Sequence, residues 1–308
     1  MQIYKGINQL SLKDTVVTTG NFDGVHLGHQ FLLNELVALA KASRRLSVVV
    51  MFYPHPREVL STGDTDFRYL SSQEDKYAIF EQCGVDVVVQ IPFDKELSRW
   101  TAEEFVTKVL LDKLGMSLFL VGYDHRLGNP KSDTRILPLA EKYGFEMQEC
   151  RSFITDFGEV SSSIVRDKLL AGEVERAAQL LGRPYAMACV VEVGKQVGRS
   201  IGYPTANLKP TYAKHLLPAE GVYAVKVMVD NVEYGSMLQI GHRPTLDDGR
   251  GLTIEAHIFD FDDNIYGHTI SIHFLHFLRQ NRKFPDIESL RAQLKEDERT
   301  ARSFLAIN

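Results

Sequence analysis

Short apolar runs alternate with helical patterns through the first half of the chain. Apolar and β-branched runs predict strands at Thr15–Thr19, Ser47–Phe52, Val85–Gln90 and Leu118–Val121. Their continuous apolar character is typical of strands that are covered on both faces. Apolar residues at helical spacing separate them, as in Glu103–Leu114. This β-α-β-α order favours an α/β fold with an open, doubly wound parallel sheet.

The pattern changes near residue 184. After Ser161 a helical pattern runs to Gly182-Arg183-Pro184, where a glycine and a proline stop the helix. Short β-rich runs then follow at Ala188–Val193, Val222–Val229, Leu252–Phe259 and His268–Phe274. One helix closes the chain. We therefore predict two domains, residues 1–183 and 184–308, and the second is a small antiparallel β-barrel or sandwich with a terminal helix.

Composition and charge exclude several classes of protein. The chain has 308 residues, of which 44% are hydrophobic and 24% charged, so disordered and fibrous classes are excluded. Lys and Arg number 35 against 40 Asp and Glu, a net charge of -5. This argues against nucleic acid as a partner, because phosphate-backbone binding needs concentrated cationic side chains. Cys83, Cys150 and Cys189 form no CxxC pair, so we expect neither a disulfide framework nor a zinc knuckle.

The sequence also predicts a location. The first residues lack the apolar core of a signal peptide, and the longest apolar run, Val48–Tyr53, is too short to cross a bilayer. We expect a cytoplasmic protein without membrane attachment. No obligate protein partner is evident from the sequence.

The segment Gly20–His29 lies between the first predicted strand and the first predicted helix. Open α/β proteins bind ligands at this end of the sheet. His26 and His29, with Gly28 between them, can present imidazoles and backbone amides to one ligand beside a helix N-terminus, which favours a phosphate site. Zinc is a competing interpretation, although no third Cys, His or acidic ligand stands nearby at the usual spacing. Two histidines without a function are the other alternative.

A second segment, Gly198–Asn207, reads GRSIGYPTAN. Gly198 and Gly202 free the backbone to wrap phosphates, and Pro204 fixes the chain just before Thr205. The Thr205 hydroxyl and the Asn207 amide oxygen are two residues apart on an extended segment, so they point the same way and suit Mg²⁺. A β-turn with Thr and Asn as turn formers is the alternative.

These segments, taken in order, resemble a known family. Gly20–Gln30 resembles the HxGH signature of nucleotidyltransferases, and Pro54-His55-Pro56 matches a motif that follows the second strand there. Ser161–Arg166 is similar to a Ser-Ser-Thr-x-x-Arg element that opens a late helix. Gly202–Asn207 resembles Gly-x-Pro-Thr-Ala-Asn, a hallmark of riboflavin kinase. Over Thr15–Arg302 the chain resembles the bacterial bifunctional riboflavin kinase/FMN adenylyltransferases, or FAD synthetases.

The resemblance implies that the first domain, of the HxGH nucleotidyltransferase type, adenylylates FMN. It implies that His26 and His29 face the triphosphate of ATP, and that Ser162, Ser163 and Arg166 hold its β and γ groups. It also assigns to nucleotide and phosphate binding Gly20, Phe22, Asp23, Gly24 and Gly28. From the residues alone, Ser161–Ser163 could instead only cap a helix whose Arg166 is a solvated surface charge.

For the second domain the resemblance implies phosphorylation of riboflavin. Thr205 and Asn207 would ligate the Mg²⁺ of ATP, and Glu255 would take the proton from the 5'-hydroxyl of riboflavin. Arg291 would border the flavin, and phosphate binding is assigned to Gly198, Gly202 and Pro204. Without the resemblance, Glu255 has the alternative role of a solvent-facing strand residue.

The sequence departs from the family pattern at three places. The loop Val121–Asp133 keeps Asp124, assigned to flavin binding, but both of its usual phenylalanines are replaced. Gln239 stands where an asparagine often precedes the Ile-Gly pair, and Asn281 stands where an acidic residue is common. These departures put the flavin contacts of the loop and the strength of the kinase in question.

We therefore predict an enzyme that uses ATP and Mg²⁺, and no zinc, in two steps. It converts riboflavin to FMN in the second domain, and FMN to FAD with release of pyrophosphate in the first. Two alternatives remain open: a protein in which one of the sites has decayed, and a flavin-binding regulatory module. ATP consumption in the presence of riboflavin separates the enzyme from the module.

Overall fold

A computed structural model describes residues 1–8, 10–61, 67–122, 127–129, 135–151, 153–156, 158–194, 198, 201–242 and 252–305. The chain forms two compact units, Met1–Val160 and Ser161–Asn308. No helix among these residues is long and apolar enough to span a membrane.

The first unit alternates strands and helices. In chain order its elements are β1 (Gln2–Lys5), β2 (Thr15–Gly20), α1 (Leu27–Ser43), β3 (Leu46–Tyr53), α2 (Pro56–Leu60), α3 (Gln73–Gln82), β4 (Val87–Pro92), α4 (Ala102–Phe105) continued by a π-helical turn (Val106–Leu111), β5 (Met116–Val121), α5 (Leu137–Tyr143), β6 (Glu146–Glu149), β7 (Ile154–Thr155) and β8 (Gly158–Glu159). A 3₁₀ turn at Leu97–Arg99 precedes α4.

Six strands form a parallel sheet in the order β1-β4-β3-β2-β5-β6. From β2 the chain proceeds through β3 to β4 on one side and then continues at β5 on the other side of β2. The strand order therefore reverses between β2 and β5, and such a switch point opens a crevice at the carboxyl ends of the strands. Gly20, the last residue of β2, lies at that crevice.

The apolar runs of the strands fill two cores, one on each face of the sheet. In β3, Val48 and Val50 pack with the α4 region, whereas Val49 and Met51 pack with α1. Both faces are buried because successive strand residues point to opposite faces. The predicted doubly wound sheet is confirmed.

The second unit begins with two helices and continues as a barrel. Its elements are α6 (Ser162–Leu170), α7 (Val174–Leu181), β9 (Tyr185–Glu192), β10 (Ala206–Pro210), β11 (Gly221–Val229), β12 (Val232–Gly241), β13 (Thr253–Ile258), β14 (Thr269–Arg279) and α8 (Ile287–Leu305). The six strands close into an antiparallel barrel in the order β10-β13-β12-β11-β14-β9. Of the two predicted architectures, the barrel is confirmed and the sandwich is wrong.

The compact units divide the chain earlier than the predicted boundary at residues 183 and 184. Gly182 does end α7, in a left-handed conformation. However, α6 packs against α7, which packs against β9 and β14, and the amide of Ala219 donates to the carbonyl of Leu169. These contacts group both helices with the barrel, because a helix stop marks where a helix ends and not which core the helix covers.

Candidate active sites

The segment Gly20–His29 connects β2 to α1 through a strained turn. Phe22, Gly24 and Val25 have φ values of 49°, 79° and 39°. A left-handed backbone conformation of this kind costs a bulky residue about 1–3 kcal/mol, and it persists where the surrounding structure enforces it. A Cβ on Gly20 would lie 3.0 Å from the Phe22 ring, so glycine at position 20 lets this ring fold back onto the strand. The strain is located at the switch point of the sheet.

His26 is the N-cap of α1. Its Nδ1 accepts the backbone N–H of His29 at 3.3 Å, so this nitrogen is unprotonated and the neutral ring carries its proton on Nε2. A Cβ on Gly28 would lie 3.2 Å from the same Nδ1, closer than nearly all real Cβ contacts. Gly28 therefore lets the imidazole lie over the first helical turn.

His29 stacks on His26, with ring centroids 3.7 Å apart and ring planes 17° apart. Burial lowers the pKa of His29 well below its usual value, and the nearby His26 and Lys76 lower it further. Its Nδ1 is buried and has no hydrogen-bond partner within the described part of the chain. An uncharged imidazole with an unused nitrogen is available to a ligand at this helix N-terminus.

Phe22 and Asp23 have structural contacts. Phe22 is buried and its ring packs on those of His29, at 5.1 Å, and Phe80, at 5.4 Å. The buried Asp23 carboxylate accepts the backbone N–H of Leu70 at 2.9 Å, and the Gly24 N–H donates to the Ser71 hydroxyl at 3.0 Å. These contacts hold the turn against the segment before α3. The predicted nucleotide contacts of this turn stay predictions.

The Pro-His-Pro motif repeats the cap of α1 at a second helix. His55 is the N-cap of α2, and its Nδ1 accepts the Arg57 N–H at 3.0 Å. The His55 N–H donates to the Tyr69 hydroxyl at 2.8 Å, and that hydroxyl donates to Glu58. The histidine ring also stacks on Phe67 at 4.5 Å. The motif thus fixes the chain at the carboxyl end of β3.

The serine-rich element opens α6 in the second unit. Ser161 is its N-cap, and the Ser161 hydroxyl accepts the Ile164 N–H at 3.3 Å. The capping interpretation therefore applies to Ser161, whereas Ser162 and Ser163 are the first helical residues and Arg166 follows one turn later. Asp124, predicted to bind flavin, lies outside the described residues.

On the barrel, three predicted kinase residues come together. Asn207 on β10 and Glu255 on β13 are direct cross-strand partners, and their neighbours Leu208, Ile254 and Ala256 are buried, so the pair lies on the outer face. The Thr205 hydroxyl donates to Glu255 Oε2 at 3.3 Å, which leaves the hydroxyl lone pairs available to a cation. Hydroxyl, amide and carboxylate oxygens form a donor set that suits Mg²⁺.

The glycines and Pro204 shape the segment before Thr205. The amides of Ile201 and Tyr203 donate to the Gly198 carbonyl at 3.2 and 2.9 Å, and Gly202 has a φ of 87°. The Pro204 carbonyl contacts His257 Nδ1 at 2.7 Å. A Cβ on Gly194 would collide with the Asn207 amide, so a close approach of backbone places that amide.

Arg291 lies near this segment. Its Nε donates to the Ile201 carbonyl at 3.4 Å. This contact places Arg291 beside the Gly198–Asn207 segment, and its flavin contact stays a prediction.

The structure adds residues that sequence reasoning missed. Glu192 on β9 is the cross-strand partner of Asn207 on the side opposite Glu255. Gln239 on β12 is the partner of Glu255, and its Nε2 donates to Asn281 Oδ1 at 3.1 Å. The two kinase departures from the family pattern therefore contact each other. A sequence signal existed for this pair, since both departures stood out, but not for Glu192.

Metal-ligating side chains are not clustered in the described part of the chain. No group of three or more His, Cys, Asp or Glu side chains that could hold an ion occurs among the described residues. The expectation that the protein uses no zinc stays a prediction.

Two family models match the chain in the predicted order. The model described as FAD synthetase matches residues 8–164, and the one described as riboflavin kinase matches residues 181–305. His26 and His29 fall in the first match, and Thr205, Asn207 and Glu255 in the second. Together with the fold, these matches define a flavin-nucleotide transferase with one part on a parallel sheet and one on a barrel.

Curated relatives match along the whole chain. The bifunctional riboflavin kinase/FMN adenylyltransferase of Haemophilus influenzae is 33% identical over 309 residues, which cover 99% of each chain. The protein of the same name from Listeria monocytogenes is 36% identical over 294 residues, 94% of this chain and 92% of its own. This chain belongs to the family of bifunctional riboflavin kinase/FMN adenylyltransferases.

A solved structure supports the fold over almost the full length. A crystal structure named as a macrolide-efflux protein from Streptococcus pneumoniae is 29% identical, with a TM-score of 0.90, and the match covers 98% of this chain and 99% of that one.

Proposed function

We infer that the barrel unit phosphorylates riboflavin to FMN and that the sheet unit adenylylates FMN to FAD, each at the expense of ATP. The observation that carries this inference is the order of the two family matches, each of which covers the corresponding set of polar residues. The chemistry of each set supports its assigned step.

In the kinase step Glu255 is the general base. Its carboxylate takes the proton of the riboflavin 5'-hydroxyl as that oxygen attacks the γ-phosphorus of ATP, and the bond from that phosphorus to the ADP oxygen breaks. The hydrogen bond from Thr205 orients Glu255 Oε2. Thr205 and Asn207 would hold the ATP-bound Mg²⁺, which when bound neutralises charge on the phosphates. Gly198, Gly202 and Pro204 shape the backbone that would wrap those phosphates.

In the adenylyl step no covalent enzyme intermediate is needed. A phosphate oxygen of FMN attacks the α-phosphorus of ATP and pyrophosphate leaves, so the residues position the reactants and stabilise charge. His26 and His29 donate from the start of α1 to the triphosphate. Ser162, Ser163 and Arg166 bind its β and γ groups, and Arg suits that task because its planar fork matches phosphate oxygens.

We propose that the boundary between the residues of the two activities lies after Arg183. The adenylyl set extends to Arg166, although the helix that carries it groups with the barrel. We also propose that the protein works in the cytoplasm with small-molecule partners only: ATP, riboflavin, FMN, FAD and pyrophosphate.

One assay tests both activities. Full-length protein is incubated with Mg²⁺, ATP and either riboflavin or FMN, and the flavins are separated by chromatography. Riboflavin should yield FMN and then FAD, and FMN should yield FAD. Glu255→Gln should lower FMN formation by about 10²–10⁴ and spare FAD formation from FMN. His29→Ala should lower FAD formation by about 10²–10³ and spare FMN formation.

The alternatives give different results. A protein with one decayed site would complete only one of the two conversions. A regulatory module would bind flavin without consuming ATP. Equal loss of both activities in either folded variant would argue against two separate sites.

A further inference from the structure

Lys76 on α3 is a cation buried in the first unit. Only 1% of its surface is exposed, and its Nζ donates to the backbone carbonyl of Asn21 at 3.0 Å. Burial of an ammonium group is unfavourable unless the charge is compensated by specific partners. Its electrostatic partner is the buried Asp23, whose negative charge favours the charged form of Lys76. Both Asn21 and Asp23 belong to the strained turn that leads to His26.

Lys76 completes an anchor for this turn. The Asp23 carboxylate and the Gly24 N–H bond to Leu70 and Ser71, as described above, and Lys76 holds the carbonyl of Asn21. Three of four consecutive residues, 21, 23 and 24, are therefore tied to one short stretch of chain at the start of α3. The positive φ of Phe22 is unfavourable for a bulky residue and persists where the surroundings enforce it, as these contacts do.

The charge of Lys76 also acts on the stacked imidazoles. His26 Nδ1 is a hydrogen-bond acceptor, and the centroids of the His26 and His29 rings are 3.7 Å apart. Two imidazolium rings at that distance would repel, so the stack disfavours a state in which both rings are charged. The charged or titratable groups that act on His29 or its turn include His26, Lys76 and Asp23. Burial is the main cause of the lowered pKa of His29, and His26 and Lys76 lower this pKa further.

We propose that Lys76 is a positioning residue for adenylyl transfer: its hydrogen bond to the Asn21 carbonyl fixes the Asn21–Gly24 turn, so that the stacked imidazole pair that follows this turn stays in place to receive ATP. The proposal rests on the proposed function of the sheet unit. Lys76 is too deeply buried to touch substrate and acts through the turn and His29.

The test compares full-length variants that remove the charge of Lys76 either together with its hydrogen bond or alone. Lys76→Met keeps the apolar stem and removes both, whereas Lys76→Gln keeps a donor and removes only the charge. Lys41→Met, on the exposed last turn of α1, is the matched control. Each preparation is assayed for FAD formation from FMN and for FMN formation from riboflavin, and the His29 ring is titrated by NMR.

Removal of the Lys76 charge should raise the pKa of His29, because a protonated His29 would no longer be repelled by the Lys76 ammonium group. We expect the His29 titration to move to higher pH in Lys76→Met and Lys76→Gln and to stay unchanged in Lys41→Met. FAD formation should fall at least 10-fold in Lys76→Met. In a plot of its rate against pH, the decline on the acidic side should begin at a higher pH than in the parent. FMN formation should stay within twofold of the parent and report that the chain is folded.

Several outcomes would overturn the proposal. An unmoved His29 titration in a folded variant would show that Lys76 is only a structural residue, even if the rate fell. FAD formation within twofold of the parent in Lys76→Met would do the same. If Lys76→Met does not fold, Lys76→Gln decides alone by its titration. A parent that forms no FAD would refute the proposed function, and the NMR titration would still report separately on the link between Lys76 and His29.

Discussion

Gly28→Ala should impair FAD formation without unfolding the protein. The added Cβ would lie 3.2 Å from His26 Nδ1 and 3.3 Å from its Cε1, so the ring must move by a few tenths of an ångström. A misplacement of 1 Å at a reacting centre typically costs about 100-fold in rate. We therefore expect a loss of about 10-fold in kcat/KM for FAD formation from FMN.

The stability of the variant should change little, because two effects oppose each other. Weakening of the His26 cap costs about 1 kcal/mol, whereas alanine in a helix is favoured over glycine by up to about 1 kcal/mol. The assay is initial-rate chromatography of both conversions, with thermal unfolding measured on the same sample. Ser43→Ala, at the far end of α1, is the control. FAD formation within twofold of the parent would refute the view that Gly28 is needed to seat the His26 ring.

Four further outcomes are expected. Gln239→Ala and Asn281→Ala should each lower riboflavin phosphorylation, and the double variant should be no worse than Asn281→Ala, because that change already breaks the contact that Gln239→Ala removes; additive losses would contradict this. Both activities should require Mg²⁺ and survive a zinc-selective chelator, and loss of turnover on zinc removal would contradict the Mg²⁺ assignment. Asp297→Ala should lower the free energy of unfolding by about 3–5 kcal/mol in denaturant titrations, because it removes the buried carboxylate that binds Arg279 in a bidentate manner. A change below about 1 kcal/mol would show that this ion pair does not stabilise the fold. The Cys150 thiol should resist a thiol reagent at pH 8, because burial and the Glu35 carboxylate raise its pKa to about 12 and leave it protonated there; rapid labelling of the folded protein would contradict this.

The strands that the sequence predicted are those with a buried apolar signal. β2 to β5 bury both faces, so their apolar runs are visible without any neighbour. β1 and β6 were missed because they are edge strands of four residues, Gln2–Lys5 and Glu146–Glu149, with largely polar and exposed side chains. Their strand character comes from pairing with β4 and β5, which a local pattern cannot report.

The sites show the same division between local and distant information. The positions of His26, Thr205 and Glu255 could be predicted because each lies in a short motif. That His26 accepts a cap hydrogen bond, and so has a fixed tautomer, depends on helix geometry. Lys76 was not predicted at all, because it reaches the turn from α3, 55 residues further along the chain than Asn21. A lone lysine in a helical pattern carries no signal of that contact.

Gln239 and Asn281 show why two sequence departures need not be two defects. Besides accepting from Gln239, Asn281 donates through Nδ2 to the Ile240 carbonyl at 2.8 Å, and a Cβ on Gly241 would collide with that same amide. A carboxylate at position 281 would present an oxygen to the Ile240 carbonyl, so two acceptors would face each other. An amide at 281 satisfies both neighbours, and the register of β12 with β13 places Gln239 opposite Glu255 on the barrel wall. The departures therefore form one contact beside the proposed base. An aspartate at position 281 could still accept from Gln239 but could not donate to the Ile240 carbonyl.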